Sequence, residues 1–195
     1  YKRVRRIKTL PDFNLEIKVS RAGFNRIAGV DEVGRGSLAG PVVAAAVILD
    51  PSNIPNGLND SKKLSKKRRE ELFSLLLDTA FYSVGHASVK EIDELNILRA
   101  SHLAMVRALK GLDLQPDYVL IDGNIVPKAL KISASSIVKG DSKSVSIAAA
   151  SIIAKISRDK IMVDLGQHFP GYGWETNAGY PPSAHLLALE TLGVT

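Results

Sequence analysis

The stretch Arg26-Ile27-Ala28-Gly29-Val30-Asp31-Glu32-Val33-Gly34-Arg35-Gly36-Ser37-Leu38-Ala39-Gly40-Pro41-Val42-Val43-Ala44-Ala45-Ala46-Val47-Ile48-Leu49 decides the fold. Arg26 to Glu32 reads as a strand. Pro41 to Leu49 is apolar throughout, as in a strand buried on both faces. The short glycine-rich link between them fits an antiparallel hairpin. Gly34 to Gly40 superficially suggests a nucleotide loop, but such a fingerprint should open a helix, and here Pro41 and β-branched residues follow. Asp31 and Glu32 close the first strand. If that strand runs on through both, they point to opposite faces, so both reach one metal cluster only where the chain bends.

Beyond the hairpin, the chain reads as helices alternating with strands. Ser65 caps a helix to about Thr79, with Leu72, Leu75, Leu76 and Thr79 at helical spacing. Phe81 to Ala87 is a strand. Ser88 with Glu91 makes a capping box for a short helix, and a longer helix to about Leu109 follows, with Ile97, Ala104, Met105 and Ala108 on one face. Tyr118 to Ile121 and Ile132 to Val138 are strands. Ser144 to about Leu165 is a long helix whose small residues allow close approach to a sheet. Ser183 to Leu192 is a last helix, stopped by Gly193. Residues 1–25 read as a basic, irregular arm or edge element. The expected architecture is a single α/β domain over 1–195, a mixed sheet flanked by helices.

The 195 residues suit one domain, and the 45% apolar content is enough for a core. No apolar run approaches the roughly 18 residues of a membrane span, no signal peptide is visible, and cysteine is absent. That excludes disulfides, thiolate zinc sites and cysteine nucleophiles, and we expect a cytoplasmic protein. His86, His102, His168 and His185 have no zinc-ligand spacing, and no phosphate-binding loop of the Gly-x-x-x-x-Gly-Lys type occurs. The formal charge is +6, with five basic residues between Tyr1 and Lys8 and six between Asp60 and Arg69. Such runs are either solubilising faces or contacts to a polyanion backbone.

Three segments each set a carboxylate after a strand-like run and beside a glycine: Asp31 with Glu32, then Asp122 after Tyr118-Val119-Leu120-Ile121, then Asp141 in Val138-Lys139-Gly140-Asp141-Ser142-Lys143. Singly, each has a structural reading, as a turn acid or, for Asp141, a helix N-cap. Together they describe carboxylates gathered at one sheet edge, where hard oxygen ligands suit Mg²⁺ or Mn²⁺.

These segments, together with Leu58-Asn59-Asp60-Ser61-Lys62-Lys63-Leu64-Ser65, Glu91-Ile92-Asp93-Glu94-Leu95-Asn96-Ile97, Ser146 to Lys155 and Gly179-Tyr180-Pro181, resemble the ribonuclease HII family, in family order over roughly residues 24–195 and close to its bacterial branch. The resemblance implies a ribonuclease H-like fold and hydrolysis of the RNA strand of RNA–DNA hybrids. It also implies incision 5′ to a lone ribonucleotide in duplex DNA. By motif, Asp31, Glu32, Asp122 and Asp141 are the catalytic carboxylates that hold two divalent ions, Mg²⁺ or Mn²⁺. Gly34, Arg35 and Gly36 sense the ribose 2′-hydroxyl, and Tyr180 packs on the sugar beyond the ribonucleotide. Lys62 and Lys63 are phosphate contacts. Ser142, Lys143, Ser146, Lys155 and Arg158 are weaker substrate candidates, with Lys155 and Asp159 an alternative i,i+4 pair. Trp174 is read as packing. The resemblance allows a sliding-clamp partner, for which no binding tail is visible, and we take the chain as a monomer. The family continues past the position of Gly193-Val194-Thr195 with a further helix, whereas this chain stops at Thr195.

Two other classes compete on the residues alone. A phosphoacceptor signalling domain also gathers acids at strand ends, but should show parallel strand–helix units from the start. A noncatalytic nucleic-acid binder rests on net charge only.

Overall fold

A computed structural model describes residues 10–195; the basic run Tyr1 to Lys8 lies outside them. Strands β1 (Ile27–Val33) and β2 (Val42–Leu49) pair antiparallel, from Ala28 opposite Ile48 to Val33 opposite Val43. β3 (Ala80–Ala87) pairs antiparallel with the far side of β2. β4 (Tyr118–Asp122) lies parallel to β1, and β5 (Ser133–Ile137) parallel to β4. The order is β3-β2-β1-β4-β5. The mixed sheet read from the sequence is thus present, and its antiparallel opening is not what a phosphoacceptor domain would show.

The helices are α1 (Asn14–Arg21), α2 (Lys66–Thr79), α3 (Val89–Leu95), α4 (Ile97–Lys110), α5 (Val145–His168), α6 (Trp174–Asn177) and α7 (Ser183–Leu192). Both faces of β2 are buried, which is why its sequence does not alternate. Val43, Ala45, Val47 and Leu49 join α5 and α2 in one core, and Val42, Ala44, Ala46 and Ile48 join α4 in the other. Two sheet glycines set the helix distances. A Cβ on Gly29 would run into the backbone of Ser146 and Ile147 in α5, and one on Gly85 into the backbone of α4 at Ala104 and Ala108. Ala148, Ala149 and Ala150 of α5 are fully buried against the sheet. The Ser88–Glu91 capping box forms as its spacing predicts. No helix of the described residues is long and apolar enough to cross a membrane.

The N-terminal reading needs correction. Residues 14–21, expected within an irregular arm, form α1. Leu15 and Val19 pack against Ile27, Leu120 and Ile147. The helix also buries Glu16 and leaves Ile17 exposed, and its apolar residues Leu15, Ile17 and Val19 alternate along the sequence, which masks the helical spacing of Leu15 and Val19.

Candidate active site

β1, β4 and β5 are parallel, so their C-terminal ends share one edge of the sheet, where open α/β sheets build sites. Asp31 and Glu32 lie near the end of β1, and Asp122 is the last residue of β4. Asp141 sits in a 3₁₀ turn, Gly140–Ser142, between β5 and α5. The turn and β4 are tied directly, because the Gly140 N–H donates to Asp122 Oδ1 at 2.6 Å.

The chain does not bend between the paired acids. Pairing continues through Asp31 opposite Ala45 and Glu32 opposite Ala44, and those alanines belong to the cores beneath α5 and α4 respectively. The two carboxylates therefore flank the strand, and the expectation that a bend is needed is corrected: without one, both still feel the charge of Asp122 at the sheet edge. Asp31 Oδ1 accepts the Glu32 N–H at 2.7 Å. Glu32 Oε1 accepts from Arg35 Nη1 at 3.0 Å, and its Oε2 is buried with no hydrogen-bond partner.

Electrostatics links all four acids. Burial, then the charges of Glu32, Asp122 and Asp141, hold Asp31 well above the usual carboxylate range. Burial also raises Glu32, against the hydrogen bond from Arg35, with Asp122 adding to the rise. Asp141 is raised by burial, then by Asp60 and Asp122. Asp122 is thus the charge felt by the other three. Among the described residues no three such side chains form a ready-made metal group as they stand. Their donors explain this: Glu32 is drawn to Arg35 and Asp122 to Gly140. Rotation of these side chains would change their oxygen separations, and Glu32 Oε2 is buried with no partner to hold it. An all-oxygen, desolvated, mutually repelling set fits hard divalent cations.

The substrate candidates separate into two groups. Gly34, Arg35 and Gly36 form the turn after β1. Gly34 is fixed by φ +103° and by Arg158, whose Nε would lie 2.5 Å from a Cβ there. Gly36 opens outward, where a Cβ would meet only the Tyr180 ring at 3.9 Å. The Tyr180 segment is held by a relay: Trp174 Nε1 donates to His185 Nε2 at 3.0 Å, which leaves Nδ1 to donate to the Tyr180 carbonyl at 2.8 Å. Trp174, read as packing, stacks on Tyr172 with ring centroids 4.9 Å apart. Lys63 Nζ donates to Ser142 Oγ at 2.6 Å, and that hydroxyl donates to Asp141 at 3.2 Å. Lys62 is exposed on the same turn.

Ser146 and Arg158 are not surface contacts. Ser146 is 1% exposed beneath the sheet edge, and Arg158 is fully buried. The Arg158 guanidinium donates to the carbonyls of Pro41 (2.9 Å), Ala39 (2.9 Å) and Ala178 (2.8 Å) and to Ser37 Oγ (2.8 Å). It joins the glycine–arginine–glycine turn to the Tyr180 segment from below. Lys155 takes its i,i+4 alternative, 2.7 Å from Asp159, with its Nζ 5.9 Å from the Tyr180 ring centroid. The sequence reading gave Asp60 no role, yet it faces both Asp141 and Lys63, 3.5 Å away. An acid directly before Ser61-Lys62-Lys63 was the available signal.

Residues 28–195 match the family model described as Ribonuclease HII. A Ribonuclease HII of Ruegeria sp. (strain TM1040) is 63% identical over 185 residues, covering 95% of this chain and 81% of that protein. The chain belongs to the ribonuclease HII family. It is a ribonuclease H enzyme, and its sheet is the ribonuclease H-like one. The ribonuclease H2 of Pyrococcus horikoshii OT3 superposes with TM-score 0.71 at 32% identity, covering 88% of this chain and 90% of that one. The ribonuclease HII of Archaeoglobus fulgidus, solved in complex with PCNA, gives TM-score 0.71 at 27% identity, covering 88% and 92%.

Proposed function

We propose that this ribonuclease hydrolyses the RNA strand of RNA–DNA hybrids and incises 5′ to single ribonucleotides in duplex DNA, using Asp31, Glu32, Asp122 and Asp141 to hold two divalent ions, Mg²⁺ or Mn²⁺. The observation that carries this reading is the gathering of four carboxylates at the ends of parallel strands, with the Asp141 turn tied to Asp122 through Gly140, beside the unpartnered Glu32 Oε2. Bound ions would supply a water of lowered pKa for attack on phosphorus and charge stabilisation at the leaving 3′ oxygen. The chain's own groups do the rest. The open backbone at Gly36 would admit a sugar, and Arg35, half exposed beside Glu32, would sense the ribose 2′-hydroxyl that distinguishes RNA from DNA. Tyr180 closes the other side of that turn and would pack on the neighbouring sugar. Lys62, and Lys63 through Ser142, would hold phosphate near Asp141.

The test is cleavage of a labelled duplex carrying one ribonucleotide, with Mg²⁺, Mn²⁺ or chelator, comparing wild type with Asp122→Asn. Metal-dependent incision 5′ to the ribonucleotide, lost in the variant, supports the reading. Tight binding without incision by the wild-type chain overturns it.

A further inference from the structure

The family match begins at residue 28, and the segment before it grips the turn that carries Asp141. Asp12 pairs with Ser144 in a parallel bridge: its N–H donates to the Lys143 carbonyl at 3.3 Å, and its carbonyl accepts the Val145 N–H at 3.1 Å. One turn into α1, Glu16 is fully buried. Its Oε1 accepts from Ser144 Oγ at 2.5 Å and from the Ser146 N–H at 3.0 Å. Its Oε2 and the neighbouring Ser146 Oγ are buried without partners. A buried carboxylate is costly unless hydrogen-bonded, and core packing alone would favour an apolar side chain here. What Glu16 gains is a fixed start for α5, whose N-terminus favours negative charge, immediately after the Asp141 turn. Through Gly140, that turn also holds Asp122.

We propose that Glu16 is a positioning residue for Asp141. By pinning Ser144 and Ser146 it fixes the turn from Gly140 to Ser142, and with it the distance between Asp141 and Asp122. The inference rests on the reading of Asp141 as a metal ligand. The helix precedes residues 28–195, which the family model matches.

The experiment uses the full chain and measures Mn²⁺ binding by calorimetry, with kcat and KM on an RNA–DNA hybrid well below the unfolding temperature. Glu16→Ala is expected to weaken Mn²⁺ binding and lower kcat by about 10- to 100-fold, the cost of losing a supporting partner, with KM little changed. Glu16→Gln keeps the acceptor and should recover most of both. Met105→Ala, which empties the core under α4 instead, should lower stability and leave both untouched. Wild-type Mn²⁺ binding and kcat in Glu16→Ala, or an equal loss in Met105→Ala, overturns the proposal. If Glu16→Ala does not fold, Glu16→Asp, drawn back by one methylene, must weaken Mn²⁺ binding in the same way or the proposal fails. Asp141→Asn separates the two readings. Unchanged Mn²⁺ binding there removes Asp141 as a ligand, whereas a loss there without one in Glu16→Ala removes only the role of Glu16.

Discussion

Arg158→Lys tests whether a buried cation, rather than surface contacts, holds the two substrate-reading elements together. The guanidinium makes four hydrogen bonds, to Pro41, Ala39, Ala178 and Ser37, from three nitrogens spread in one plane. An ammonium has three donors at a single point and no fork, so about two of the buried acceptors lose their partner. Each costs roughly 1–3 kcal/mol, or about 2–6 kcal/mol together. Because a chain of this size loses about 2–4 °C per kcal/mol, the unfolding temperature should fall by roughly 4–24 °C, and the protein should still fold. At a temperature where both proteins are native, the loosened turn and Tyr180 segment should cost about 10- to 100-fold in kcat/KM for a single-ribonucleotide duplex, as misplacement by an ångström does. Thermal unfolding by circular dichroism and steady-state cleavage measure the two effects. An unfolding temperature within 2 °C of wild type would refute the hydrogen-bond accounting (the figure is about 1 kcal/mol). A large stability loss with unchanged kcat/KM would refute the positioning argument.

Asp122→Asn should reduce cleavage by more than the roughly 10- to 100-fold that loss of a supporting partner costs, with the fold intact by circular dichroism. In chelator, Asp31→Asn should unfold at a higher temperature than wild type. The raised values of Asp31, Glu32 and Asp141 mean that the native state binds more protons than the unfolded state above the ordinary carboxyl range, so their contribution to stability improves as pH falls and worsens as pH rises. The advantage of Asp31→Asn should therefore shrink between neutral pH and about pH 5; a difference independent of pH would show that repulsion is not its source. Gly85→Ala drives a methyl into the α4 backbone and should cost about 1–3 kcal/mol in urea unfolding while leaving cleavage at low temperature unchanged.

The hairpin, the parallel strands and the long α5 were legible because apolar runs, turn glycines and small-residue periodicity are local signals. The position of the acids at one sheet edge was legible because Asp31, Glu32 and Asp122 lie at or near strand ends and Asp141 follows β5 by a short turn; their role as ligands of two metal ions came only from the resemblance. Glu16, Ser146 and Arg158 were not. A polar side chain on a helix reads as solvent-facing, and only partners far along the chain reverse that: Glu16 meets Ser146 at a separation of 130 positions, and Arg158 meets Pro41 at 117. The straight course of β1 was equally hidden, since cross-strand pairing with Ala44 and Ala45, not the local sequence, decides where Asp31 and Glu32 point.

Strand direction also sets the order in which a growing chain can assemble. β1, β2 and β3 follow one another in the chain and in the sheet, whereas β4 and β5 come later in sequence and join the other edge of β1. The junction at which β4 joins β1 brings together Arg26 and Asp117, 91 positions apart, and pairings of that span form late. Until β4 has paired, Asp31 and Glu32 would sit on an unfinished sheet margin with neither Asp122 nor Asp141 opposite them. A chain lacking those two acids would be free of the like-charge crowding that they impose on Asp31.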